Sequence, residues 1–259
     1  MRVLRLMHGG DPYFATLLDE ATARLWTAAP WAGGVQTDRL VPIKPGALLA
    51  PVVPSKIVCV GRNYRAHAKE LGNEVPAEPL LFFKPPSAVC AHDATIELPP
   101  ESDRVEHEGE LALVIGTRIR RASDAEARAA VFGATCANDV TARDLQRKDV
   151  QFTRGKGFDT FCPVGPWVET ELELADLRVS VRVNGTVRQD GRTRDMIWPV
   201  HELVAYISRV MTLEPGDLVL TGTPEGVGPL LDRDVVEVEI GGIGTLRNGV
   251  KRATLASAS

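Results

Sequence analysis

Residues 177–191, LRVSVRVNGTVRQDG, constrain the fold more than any other stretch of the chain. Val179, Val181 and Val183 alternate with Ser180 and Arg182, the period-two pattern of a half-buried strand. Asn184-Gly185 then supplies the residue pair of a tight hairpin turn, in which both positions take positive φ. Asn184-Gly185-Thr186 also matches a glycosylation acceptor, but without a secretion signal it reads as the turn.

Other short apolar runs extend this strand reading: KIVCVG, LLFFKP (stopped by Pro85 and Pro86), ELALVIG, FGATCANDV, DLVLTG and DVVEVEI. Helical signals are fewer. NYRAHAKELG is a short helix closed by Gly72. Ser123 and Glu126 form a capping box before AEARAAVF, and Pro199 introduces VHELVAYISRVM. Many strands, few helices and no βαβ alternation predict an α+β fold, mainly β, built as a mixed β-sandwich or β-roll. Residues 1–54 read as a small N-terminal subdomain, with MRVLRL as a strand and FATLLDEATARLW as a helical patch. The prolines of VPIKPGALLAPVVPSK suppress regular structure, which places the boundary near residue 54 and the main body at 55–259.

The chain has 259 residues, 44% of them hydrophobic and 25% charged, an ordinary globular composition long enough for a real core. A formal net charge of −4 leaves no basic excess to hold a polyanion, so nucleic acid is not expected as a partner. Arg118, Arg120 and Arg121 cluster, as a solvated face does. Cys59, Cys90, Cys136 and Cys162 are far apart and form no C-x-x-C pair, which argues against structural zinc and a disulfide framework. MRVLRLMHGG has no signal-peptide core, and no run approaches the ~20 apolar residues of a membrane helix. A cytoplasmic location without membrane contact is the expectation.

Within HEGELALVIG, Glu108 and Glu110 are two residues apart, so a strand would put both carboxylates on one face. Such a pair is ordinary on a solvent-facing edge, but LALVIG reads as buried on both sides. Asp139 ends another apolar run, either as a turn-capping aspartate or as a third acid beside the pair. Three carboxylates with no histidine or cysteine ligand favour a hard divalent ion, Mg²⁺ or Mn²⁺, over zinc. His67 and Glu70 stand at i and i+3 in GRNYRAHAKELG: an exposed helix pair, an oriented general base, or part of a mobile lid.

Lys84, Arg143 and Lys156 are either surface charges or the cations of an anion site. Lys156 sits between Gly155 and Gly157, which permits close backbone approach to a ligand, and Gln146 lies three residues after Arg143. TGTPEGVGPL lacks the Gly-Lys-Ser/Thr of a P-loop; it is a structural turn or a loop offering Thr223 to a substrate carboxylate. There is no G-x-S-x-G elbow and no H-E-x-x-H, and His201-Glu202 lacks a second histidine.

VGRNYRAH, EPLLFFKP, HEGELALVIG, NDVTARDLQ, GKGFDTFCPVGPW, VNGTVRQ and LEPGDLVLTGTPEGVG, in this order, resemble the fumarylacetoacetate hydrolase family over roughly residues 55 to 248. The resemblance implies a mixed β-roll or sandwich, usually a homodimer, that binds Mg²⁺ or Mn²⁺. It implies Glu108, Glu110 and Asp139 as metal ligands, and His67 with Glu70 as a water-activating dyad on a closing lid. Lys156 would stabilise developing negative charge, with Lys84, Arg143, Gln146 and Thr223 around the substrate. Fumarylacetoacetases themselves are much longer and carry a further aspartate ligand in the region written here as GRNYRAH. The chain therefore resembles the short members that act on small 2-oxo or 2-hydroxy-2-enoic acids.

Among those activities, a His–Glu dyad favours C–C hydrolysis of an acylpyruvate such as fumarylpyruvate. Oxaloacetate decarboxylation and isomerisation of 2-hydroxyhepta-2,4-diene-1,7-dioate or 5-carboxymethyl-2-hydroxymuconate in aromatic degradation are the alternatives. Two readings come from other classes: a non-catalytic dicarboxylate-binding protein, and a cysteine hydrolase using Cys162 or Cys136, which requires a low thiol pKa.

Overall fold

A computed structural model describes residues 1–253. The architecture is mainly β, as the sequence predicts. One large sheet crosses the molecule in the order Gln36–Pro42, Thr22–Trp26, Asp11–Leu17, Arg2–His8, Cys162–Glu169, Val131–Asn138, Gly109–Ile115, Leu218–Leu220, Ile57–Gly61 and Leu80–Lys84. Most neighbours are antiparallel; Leu218–Leu220 and Ile57–Gly61 run parallel. A five-stranded sheet, containing Arg178–Val183, Thr186–Arg192, Val235–Ile240, Gly244–Arg252 and Thr95–Leu98, packs against it. A three-stranded sheet joins Thr141–Ala142, Val105–His107 and Gly228–Pro229.

The hairpin forms as the sequence dictates: Val183 pairs with Thr186, and Asn184 and Gly185 take φ of 51° and 77°. Val179, Val181 and Val183 face a continuous core with Leu111, Leu113, Val236 and Val238. The α-helices among the described residues are α1 (Arg65–Glu70), α2 (Asp124–Ala130), α3 (Arg143–Lys148), α4 (Thr153–Lys156) and α5 (Val200–Val210). Ser123 and Glu126 make the reciprocal capping box at the start of α2. Pro199 caps α5, and Gly72 takes positive φ just beyond α1. No helix among the described residues is long and apolar enough to cross a membrane.

One expectation fails. FATLLDEATARLW is not helical but falls in the antiparallel strands Asp11–Leu17 and Thr22–Trp26, turned by Asp19, whose Oδ1 accepts from Ala21 N–H (2.9 Å). Both faces of its first strand are covered. Tyr13, Ala15 and Leu17 join one apolar cluster, and Phe14 packs against the other. In Asp11–Leu17 burial on both sides replaces polar residues with apolar ones and erases the period-two signal, whereas Thr22–Trp26 keeps the alternation, with Ala23 and Leu25 buried between half-buried Thr22, Arg24 and Trp26. Through Arg2–His8, paired with Cys162–Glu169, residues 1–54 continue the main sheet.

Candidate active site

The large and the three-stranded sheets meet at Glu108. The stretch that reads as one strand is two: Val105–His107 belongs to the small sheet and Gly109–Ile115 to the large one. Glu108 is fixed at the junction, donating its N–H to Asn138 Oδ1 (2.9 Å) and accepting from Asp139 N–H (2.8 Å). The crossing needs a glycine at position 109, because a Cβ there would lie 2.2 Å from Val181 Cγ2. Asp139 follows Val131–Asn138, the strand whose Asn138 pairs with Gly109. Strand pairing thus brings the third acid to the other two. Glu108, Glu110 and Asp139 are all buried, and one oxygen of each lies within 4.8 Å of the others.

Cations already engage two of these acids. Lys156, on α4, donates to Glu108 Oε2 (2.8 Å) and Asp139 Oδ2 (2.7 Å). Arg143, opening α3, donates to Glu108 Oε1, to Gln146 Oε1 (2.5 Å) and to Glu106 Oε2 (2.7 Å). Burial alone would raise the pKa of Glu108, but Lys156, Arg143 and His67 outweigh it and hold that carboxylate well below its usual range. Glu110 lies under the opposite balance. Its one hydrogen-bond partner among the described residues is Gly222 N–H, 2.7 Å from Oε2. Burial first, then the charges of Asp139 and Glu108, push Glu110 well above the ordinary value.

That conflict tests the fit of a metal ion. The donor set is three hard oxygens without nitrogen or sulfur, and its least compensated acid faces two others. The residues fit a divalent Mg²⁺ or Mn²⁺ ion, whose charge removes the repulsion.

A cavity of about 300 Å³ opens onto the three acids. His67, Arg143, Gln146, Lys156 and Thr223 also line it, so five of the seven other candidates share one chamber. His67 is 4% exposed on α1, with Nδ1 3.3 Å from Glu70 Oε2. Glu70 stands behind it, its Oε1 accepting from Gly226 N–H (3.0 Å), and this ties α1 to the TGTPEG loop. Lys84 is 1% exposed and lies behind the acids: Nζ donates to Asp139 Oδ1 (2.6 Å) and Val140 O (3.0 Å), and it is not part of the cavity wall. Its contacts orient Asp139. Thr223 donates to Gly109 O (2.8 Å) and accepts from Gln189 Nε2 (2.7 Å).

Several contributors escaped the sequence reading. Glu106 is buried and bridges Arg143 to Arg104 Nε (2.6 Å). It continues the period-two series of Glu108 and Glu110, a signal that was legible. Gln189 accepts from Gly109 N–H (3.0 Å) and lies 3.0 Å from His107 Nδ1, joining the hairpin to the site; no local pattern marks it. Arg62, within the GRNYRAH motif, and Arg147, directly after NDVTARDLQ, also line the cavity. The cysteine reading loses its basis. Burial pushes Cys136 up to about 12 and Cys162 higher still, so neither carries an appreciable thiolate at neutral pH.

The fumarylacetoacetate (FAA) hydrolase C-terminal family matches residues 56–251, and a second family, Rv2993c-like, N-terminal, matches residues 1–51. The chain belongs to the fumarylacetoacetate hydrolase family. It is 48% identical to protein Rv2993c of Mycobacterium tuberculosis over 236 residues, 90% of this chain and 89% of that one. It is 43% identical to the oxaloacetate tautomerase YisK of Bacillus subtilis, over 78% of this chain and 72% of that one. The solved structure of 2-hydroxyhepta-2,4-diene-1,7-dioate isomerase from Mycobacterium marinum is 45% identical and superimposes with a TM-score of 0.91, covering 98% of this chain and all of that one (100%). The protein is an enzyme of this family, with the acidic cluster of a possible metal site.

Proposed function

We propose that the protein transfers a proton within a small 2-oxo acid, interconverting its keto and enol forms in a reaction that depends on Mg²⁺ or Mn²⁺. The observation that carries this reading is His67, buried and braced by Glu70, on the wall of the same 300 Å³ cavity that holds the three acids. Glu108, Glu110 and Asp139 would hold the ion, which supplies Lewis-acid polarisation of the substrate's carboxylate and C2 oxygen.

The protein's own groups do the rest. Glu70 engages His67 Nδ1, which leaves Nε2 to take a proton from C3 and return it at the C2 oxygen. Lys156 adds positive charge where negative charge grows on that oxygen. Arg143 and Gln146 orient the carboxylate end. Proton transfer needs no group beyond these, and the likeness to an oxaloacetate tautomerase and to a dioate isomerase supports it.

Hydrolysis of an acylpyruvate is the second reading, because the same His67–Glu70 pair is what activation of water requires. Metal-stripped protein with Mg²⁺ or Mn²⁺ added back separates the two. Enol and keto oxaloacetate are followed by ultraviolet absorbance, and acetylpyruvate and fumarylpyruvate by product analysis. Metal-dependent equilibration of oxaloacetate without cleavage of the acylpyruvates is the expected result. Release of pyruvate plus an acid would install hydrolysis instead. Binding without turnover of any of them would return the protein to the class of dicarboxylate-binding proteins.

A further inference from the structure

The cationic groups on the cavity wall fall into two sets. Arg143 and Lys156 are committed to Glu106, Glu108 and Asp139. Arg62 and Arg147 also line the cavity, yet neither side chain makes a hydrogen bond or ion pair to any described residue. Arg62 is half-buried and Arg147 exposed, so both guanidinium groups are free to meet a ligand entering a cavity whose other cations already engage its acids.

Arg62 is also held unusually. It follows the strand Ile57–Gly61 and takes φ of 58°, a left-handed conformation that a bulky side chain rarely adopts. Such a conformation persists where its surroundings over-determine it. Here the next residue is pinned: Asn63 Nδ2 donates to Thr221 O (2.8 Å) and Trp198 O (3.1 Å), and its Oδ1 accepts from Trp198 N–H (2.9 Å). Arg147 stands four residues after Arg143 on α3, so it rises from the same helix face one turn, ~5.4 Å, farther along. Arg143 touches Glu108, one of the three clustered acids; Arg147 is one turn removed from that contact.

We infer that Arg62 and Arg147 form a second anion subsite, which selects substrates carrying a carboxylate at the end remote from the 2-oxo acid group. A guanidinium fork matches a carboxylate and binds it by charge-assisted hydrogen bonds. Phe82 and Phe152, in edge contact with each other (ring centroids 5.6 Å apart), give apolar wall to the chain between the two ends. The inference rests on the proposed 2-oxo acid chemistry for the identity of the near end.

The test separates binding from turnover. Calorimetry in Mg²⁺-containing buffer compares oxaloacetate with pyruvate, which shares the 2-oxo acid end and lacks the distal carboxylate. The wild-type protein, R62Q and R147Q are each titrated. Arg147 is exposed, so R147Q folds irrespective of what R62Q does to the turn. Wild type should prefer oxaloacetate by about tenfold or more, and each variant should lose most of that preference while keeping its affinity for pyruvate. Equal losses for both ligands, or no preference in the wild type, would overturn the subsite. The preference and its loss in the variants, found without any keto–enol turnover, would uphold the subsite and sink the proposed reaction instead.

Discussion

Glu110→Gln should stabilise the protein without metal and abolish its response to metal, two effects of opposite sign from one substitution. Glu110 is 2% exposed and lies with Glu108 and Asp139 in a cluster whose ligand atoms are within 4.8 Å of one another. Its folded-state pKa is raised by burial and then by those two charges. A raised carboxyl contributes stability that is intact below its ordinary value of 4.5 and is lost as pH rises from there through the folded-state value. The metal-free wild type should therefore weaken as pH climbs above 4.5, whereas Gln cannot ionise and should flatten that limb. Gln also keeps an oxygen for Gly222 N–H, so the packing and that hydrogen bond survive.

Neutralising the acid should gain roughly 1 kcal/mol per pH unit of the interval removed. With Mg²⁺ at a hundredfold excess over Kd, the wild type should gain about 3 kcal/mol. That corresponds to ~6–12 °C in Tm for a domain near this size. Glu110→Gln should gain close to nothing. The assay is thermal unfolding by circular dichroism at pH 5, 6, 7 and 8, with chelator and with Mg²⁺. A variant less stable than wild type in chelator at pH 8, or one retaining the full Mg²⁺ shift, would refute the reasoning that three mutually repelling acids await a cation.

Other expectations concern different parts of the site. His67→Ala should lower turnover by ~10²–10⁴-fold and leave the Mg²⁺-induced Tm shift unchanged, because His67 is outside the acidic cluster. Glu106→Gln should lower kcat/KM about tenfold by loosening Arg143; burial opposes the ionisation of Glu106, but Arg143 and Arg104 hold its pKa below the ordinary 4.5. The stability from that depressed carboxyl is present above 4.5 and is lost as pH falls through the folded value, so wild type should be the more stable protein above 4.5 and the difference from this variant should shrink on acid titration. Gly222→Ala should cost ~2–4 kcal/mol by calorimetry, since Gly222 takes φ of 96° and a Cβ would sit 2.7 Å from Asn63 Cβ. Iodoacetamide should leave turnover intact, because Cys59, Cys136 and Cys162 are buried and burial raises Cys90 to about 12; rapid inactivation would revive the thiol reading.

Local rules in the sequence determined the hairpin at Asn184-Gly185, the capped start of α2, the mainly β class and the candidate acids, because turn chemistry, caps and residue-type patterns act over a few positions. They misled at residues 14–26, where burial on both faces of Asp11–Leu17 hides that strand's period. Tertiary structure alone decided how the acids meet. Glu108 and Glu110 are not two steps of one strand: Glu108 stands where two sheets part and Glu110 lies just inside the larger one, and Asp139 reaches them through the pairing of Asn138 with Gly109. It also decided the cations' roles. The sequence offers Lys84 and Lys156 alike as cations of an anion site, yet one lies behind Asp139 and the other on the cavity wall. Arg62 and Arg147, 85 residues apart in the chain, reach one cavity only because a strand end and a helix end converge there. Residue type fixes which chemistry is available, but the distances that make it act are set by contacts between segments far apart in the chain, and no local pattern encodes them.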